Sequence, residues 1–193
     1  MARILITGFE PFGNASENPS RVIIEELKGE FETLLLPVVF DESSQKLLAA
    51  IDEVLPDVVV SLGQAEGRDA ITPEKIAINW DDASIADNAG HVRKSQKIIA
   101  DGADGYFSTL PLEAIVDQIQ AVGVPAKISL SAGSFVCNHV FYAMQHHLLG
   151  RNVQSGFIHV PLLESQAEEF PGKPTMSLES MMRGIRAALS VFN

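Results

Sequence analysis

Apolar residues along this chain fall into two recurring patterns, and the way the patterns alternate predicts the fold. Short runs at Arg3–Thr7, Thr33–Val38, Asp57–Leu62, Lys127–Leu130 and Gly156–Val160 read as strands. In Lys75–Asn79 the residues Ile76 and Ile78 alternate at period two, so Glu74–Asn79 reads as another. Helical spacing covers Pro19–Leu27, Ser43–Leu55, Pro111–Val122, Asn138–Leu149 and Ser177–Val191. Asn18 before Pro19 marks a helix start, because the amide side chain accepts from orphan N–H groups and proline at the first helical position has none to lose. Ser177 caps the last helix in the same way. Strands apolar on both sides, interleaved with helices, predict the α/β class: a three-layer α/β/α sandwich with a twisted, largely parallel (mixed) sheet. The length of 193 residues suits a single domain spanning 1–193, with no repeat, low-complexity tract or linker. Asp81–Thr109 fits this scheme poorly: it is polar, contains Asn88-Ala89-Gly90, and is long for a plain connection. A small hairpin, a flap over a site or a subunit contact are the expectations for it.

Composition narrows the function. Hydrophobic residues at 46% and charged residues at 20% are ordinary globular usage. No apolar run approaches the roughly 18–20 residues of a membrane span, and Met1-Ala2-Arg3 leads straight into a strand, so the expectation is a cytoplasmic protein with no membrane partner. The 25 acidic residues against 14 basic give a net charge of −11, a field that repels phosphate backbones and argues against nucleic acid. A single cysteine, Cys137, rules out an intrachain disulfide and a cysteine-rich zinc site, and no histidine cluster has metal-ligand spacing.

In an open α/β sheet, ligands bind beyond the carboxyl ends of the strands. Four unusual loops fall there: Gly8-Phe9-Glu10-Pro11-Phe12-Gly13, Gly63-Gln64-Ala65-Glu66-Gly67-Arg68, Ser131–Val136 leading into Cys137, and the strand end carrying His159. A lone cytosolic cysteine is more often an inert small hydrophobe. Cys137, however, precedes a predicted helix, where the dipole and unpaired N–H groups favour thiolate and can hold an oxyanion. His159 interrupts a buried strand, and a buried imidazole needs a partner. Together they have the makings of a nucleophile and its base. Glu74 is the candidate to orient the imidazole, with Asp81, Asp82 and Asp87 as rivals that the residues alone do not separate. Gly8–Gly13 lacks the Lys-Ser/Thr of a Walker loop and the third glycine of a dinucleotide turn. Phe9 and Phe12 fit a flat apolar ring better than a phosphate.

Gly8–Gly13 with Asn18-Pro19-Ser20, Gly63-Gln64-Ala65, Ile71–Asn79, Phe135-Val136-Cys137-Asn138-His139 and Gly156–Pro161 occur in one order along nearly the whole chain. Together they resemble the pyrrolidone-carboxylate peptidases (pyroglutamyl peptidase type I), and Ser177-Leu178-Glu179 extends the likeness. The resemblance implies a cofactor-free, cytoplasmic cysteine exopeptidase, typically a homotetramer, that removes an N-terminal pyroglutamyl residue from peptides. It implies a catalytic set of Cys137, His159 and Glu74, with Phe9, Phe12, Ile85, Phe135 and Val136 around the lactam ring and Gln64 on its amide. Ser84 and Ala86 stand where the family pattern has Arg and Pro, and Glu66 where relatives often carry Gly. A relative that binds pyroglutamyl ligands with weakened turnover is therefore the alternative expectation. A small-molecule hydrolase of similar architecture, such as a nucleoside-processing enzyme, lacks the phosphate or ribose fingerprint it needs.

Overall fold

The runs at Arg3–Thr7, Asp57–Leu62 and Gly156–Val160 become the middle of one sheet. In the computed structural model, which describes residues 2–192, β1 (Ile4–Phe9), β2 (Glu32–Leu36), β3 (Val58–Gln64), β4 (Thr72–Pro73) and β7 (Gln154–Val160) pair in the order β2-β1-β3-β7-β4. The first four in that order run parallel, and β4 is antiparallel to β7. Every residue of β1 and β3 is buried, because helices cover both faces. Ile4 and Ile6 of β1 and Val58 and Val60 of β3 pack against α1 (Pro19–Glu26), α3 (Leu112–Ala121) and α5 (Leu178–Leu189). The alternate residues Leu5, Val59 and Phe157 face α2 (Glu42–Val54) and α4 (Val136–His147). The result is the three-layer α/β/α sandwich expected. Met1 and Asn193, the ends of the expected domain, lie outside the described residues.

The caps read from the sequence are in place: Asn18 Oδ1 accepts from Ser20 N–H at 3.0 Å, and Ser177 Oγ from Ser180 N–H at 3.2 Å. Two other expectations are corrected. Lys127–Leu130 is not a continuous strand. It makes bridges only at Ala126–Ile71 and Ser129–Glu74, both parallel to the β4 segment and in one register. The amide that would join them belongs to residue 73, a proline, which has no hydrogen to donate. Being parallel to β4, this edge also runs opposite to β1, β3 and β7, yet the turn after it brings Ser131, Ala132 and Gly133 to their rim.

Second, Glu74–Asn79 does not form one strand. β4 belongs to the main sheet, whereas β5 (Ile76–Ile78) leaves it to pair with β6 (Gly105–Phe107) as a separate two-stranded unit. Asp81–Thr109, whose form the sequence left open, holds β6, antiparallel to β5, and a loop organised by side-chain bonds. Asn79 Oδ1 accepts from Ile98 and Ile99 N–H at 2.9 Å each, and its Nδ2 donates to Ile99 and Gly102 carbonyls. A second small pair, this one parallel, joins β8 (Leu162–Leu163) to β9 (Thr175–Met176) after β7. Among the described residues no helix is long and apolar enough to cross a membrane.

Candidate active site

The carboxyl ends of β1, β3 and β7 open into a cavity of about 330 Å³, at the small end of the range for ligand pockets. Cys137 lies on its wall as the second residue of α4, two residues further into a helix than the sequence places it. The first backbone bond of that helix runs from His139 N–H to Phe135 O at 3.1 Å. The N–H groups of Val136, Cys137 and Asn138 therefore precede any partner one turn back. The thiol reaches the sheet because residue 63 is glycine. A Cβ there would lie 3.1 Å from Cys137 Sγ and 2.8 Å from the Phe157 ring, closer than side chains pack.

His159 sits on β7 opposite Gly63 of β3 on one side and Thr72 of β4 on the other, and it lines the same cavity. Its Nδ1 lies 2.7 Å from Glu74 Oε1. A carboxylate accepts only, so Nδ1 carries the proton and Nε2 is left with a free lone pair. Glu74 is fully buried directly after β4, with its N–H bonded to Phe157 O at 2.8 Å. Arg68 Nη1 donates to the same Oε1 at 2.6 Å and to the Thr72 hydroxyl, while Nη2 donates to Ser131 O at 3.0 Å. One guanidinium thus ties the carboxylate to the turn that leads into Cys137.

The rival acids are elsewhere. Asp81 is as buried as Glu74 but meets His139 Nδ1 at 2.9 Å. Asp87 accepts from Phe40 and His91 N–H groups, and Asp82 is exposed. Among the described residues no group of three or more His, Cys, Asp and Glu is placed to hold a metal.

Burial sets the protonation states. It raises the Glu74 carboxyl most, but the His159 hydrogen bond and charge, Ser129 and Arg68 outweigh it and leave the group below its ordinary value, hence anionic. Burial lowers His159, partly offset by Glu74, so the imidazole is neutral at pH 7. Burial, with the Glu74 charge, pushes the Cys137 thiol up to about 12. A helix N-terminus contributes about 0.3–1 kcal/mol, which is too little to ionise such a thiol at neutral pH. Burial thus opposes the thiolate that the helix terminus favours, and the thiol needs a base to become a nucleophile.

The sequence profile of the family described as Pyroglutamyl peptidase matches residues 2–193. The chain belongs to the pyroglutamyl peptidase family. It is 48% identical to the pyrrolidone-carboxylate peptidase of Vibrio vulnificus over 191 residues, covering 96% of this chain and 90% of that one. It is 43% identical to that of Bacillus cereus over 199 residues, covering 99% and 93%. The crystal structure of pyroglutamyl peptidase I from Bacillus amyloliquefaciens superimposes with a TM-score of 0.93 at 36% identity, covering 97% of this chain and 92% of that one. A variant pyrrolidone carboxyl peptidase from Pyrococcus furiosus gives 0.92 at 38%, covering 97% and 96%.

Within this pyroglutamyl peptidase family fold, Phe9, Phe12, Gln64, Phe135 and Val136 line the cavity together with Cys137 and His159. Phe12 and Phe135 pack with ring centres 6.0 Å apart and planes tilted by 47°. Gln64 Oε1 already accepts from Gln166 Nε2 at 3.0 Å, which leaves its own amide N–H groups for a ligand. Ile85 is not on this wall. It is 48% exposed and lines an adjoining groove of about 260 Å³ that shares Phe12, Gln64 and Glu66 with the cavity. Ser84 and Ala86 are exposed as well.

The sequence reading placed Arg68 only in the loop after the third strand and did not connect it to Glu74. It took Asn18 solely as a cap, although Asn18 also lines the cavity. A cation on the loop after β3, six residues before a fully buried Glu, was the available signal for the first. None marked the second role of Asn18.

Proposed function

We propose that this chain hydrolyses the amide bond after an N-terminal pyroglutamyl residue, acting as a cysteine exopeptidase through a thioester on Cys137. The observation that carries the reading is that Cys137 and His159 line one small aromatic-lined cavity, with the buried Glu74 bonded to His159 Nδ1 behind it. Phe9, Phe12, Phe135 and Val136 give the cavity an apolar wall for the five-membered ring, and the free amide of Gln64 is a donor for the lactam carbonyl. His159 Nε2 takes the thiol proton as Sγ attacks the pyroglutamyl carbonyl, and Glu74 stabilises the imidazolium that forms. The leading N–H groups of α4 hold the oxyanion, an effect worth about 2.7–4 kcal/mol per donor in hydrolases. Collapse of the intermediate passes the His159 proton to the departing amine. Water, deprotonated by the same nitrogen, then releases pyroglutamate from the thioester.

The test is release of a fluorophore from its pyroglutamyl amide beside the prolyl amide. Proline fills the slot but leaves buried polar groups unpaired, so kcat/KM for the pyroglutamyl compound is expected to exceed the prolyl value by at least about 10²-fold. Equal cleavage of both, or of neither, would overturn the reading. A folded protein that binds pyroglutamate without turnover would instead favour the weakened relative, for which no feature of the site speaks.

On the same reading residues 1–193 form one catalytic domain that works in the cytoplasm as a homotetramer. Trp80, beside β5, and Phe107, on β6, are 39% and 64% exposed and offer apolar surface to a second copy. A monomer mass in solution at micromolar concentration would remove the tetramer.

A further inference from the structure

The cavity wall that includes Val38 adjoins a strained turn. Val38, which lines the cavity, and Phe40, which does not, lie on the connection between β2 and α2. Asp41 follows with φ 57° and ψ −51°, and Glu42 N–H bonds Phe40 O at 2.6 Å across it. That is a γ-turn of the positive-φ hand, rare and strained for any residue with a side chain, and it persists only where the surroundings hold it.

Arg93 is what holds it. Its Nη2 pairs with the Asp41 carboxylate, its Nη1 with Asp81 Oδ2 at 2.9 Å, and its guanidinium carbon lies 4.7 Å from the centre of the Phe40 ring. Asp81 is in turn fixed by His139 Nδ1, and His139 Nε2 accepts from Asp41 N–H at 3.3 Å, closing the network on α4. Phe40 then meets Phe135 edge-on, at 5.4 Å and 88°. Phe135 is both a cavity wall and the residue before the helix that carries Cys137.

We propose that Arg93 is a positioning residue for the acyl pocket: it clamps the strained turn at Asp41 and, through Phe40, fixes Phe135 against the substrate ring. None of its contacts reaches Cys137, His159 or Glu74, so its effect is on binding the ring and not on the chemical groups. The proposal rests on the pyroglutamyl reading for its substrate.

Arg93→Met is expected to raise KM for a pyroglutamyl amide about tenfold while kcat stays within about threefold, because loss of preorganised fit falls first on the acyl slot. Arg93→Lys, which keeps the charge but not the fork, falls between the two. Asp41→Gly removes the strain, since glycine adopts φ 57° freely, so adding it to Arg93→Met restores part of KM. Alkylation of Cys137 by iodoacetamide keeps its native rate throughout.

A folded Arg93→Met protein with native KM overturns the proposal, as does a loss confined to kcat. If Arg93→Met does not fold, Phe40→Leu decides. It breaks the link to Phe135 but leaves the ion pairs, and it is expected to raise KM, whereas a native KM overturns the proposal. Failure of the pyroglutamyl reading shows differently, as absence of selective turnover in the native protein.

Discussion

Replacing Cys137 with Ala is expected to lower kcat/KM for a pyroglutamyl amide by at least about 10⁴-fold, a transition-state loss of about 5.5 kcal/mol. The size follows from covalent catalysis. Without Sγ the carbonyl has no nucleophile, and water in its place meets neither the geometry nor the leading N–H groups of α4. His159→Ala is expected to cost as much, because a thiol that burial has pushed up to about 12 cannot attack at neutral pH without a base. The two losses act on one step, so the double variant should be no worse than either single. Cys137 is half-buried, and Ala leaves the Gly63 contact empty without adding a clash, so the fold is expected to hold. Turnover of Cys137→Ala within about tenfold of native would show that another group is the nucleophile.

Why the site was legible, and where it was not, follows from the kind of interaction involved. β1 and β3 announce themselves because strands covered on both faces must be apolar at every position, and Asn18-Pro19 marks the start of α1 by chemistry local to two residues. The start of α4 was misplaced because its cap residue, Phe135, has no side-chain acceptor, so the usual mark was missing. The break in the Lys127–Leu130 edge depends on a proline about 55 residues away in sequence. Asp81–Thr109 is held by Asn79, Asp87 and Arg93 through single bonds and not through a repeating apolar face, so no periodicity was there to read. Glu74 and Asp81 look alike as acids in or beside strand-like residues. What separates them is that β4 turns back antiparallel beside His159, a long-range fact.

Arg68→Met is expected to reduce kcat by about 10–100-fold, with Arg68→Lys between it and the native protein. Glu74→Gln should cost more, about 10²–10⁴-fold, since an amide can present its N–H groups to Nδ1 and favour the wrong tautomer. The Arg68 effect has two parts that move different readouts. Its guanidinium fixes Glu74 Oε1 at 2.6 Å and Ser131 O at 3.0 Å, so its loss loosens the registration of the base against the turn that leads into Cys137. It also leaves a fully buried carboxylate with His159 as its remaining hydrogen-bonded partner. Because the Arg68 side chain is 23% exposed, water takes up part of the deficit and the stability cost is about 1–3 kcal/mol.

The sign of the pH effect separates catalysis from mere packing. His159 must be neutral to accept the thiol proton, and burial lowers it below the ordinary imidazole value. The acid limb of kcat/KM in the native protein is therefore expected below about pH 6.5, with activity lost as pH falls through it. Arg68 adds to that lowering, so Arg68→Met should move the limb upward. A folded Arg68→Met protein with native kcat and an unmoved limb would show that Arg68 only braces the Ser131 turn. A lowered kcat with the limb shifted upward would place Arg68 among the groups that tune the base.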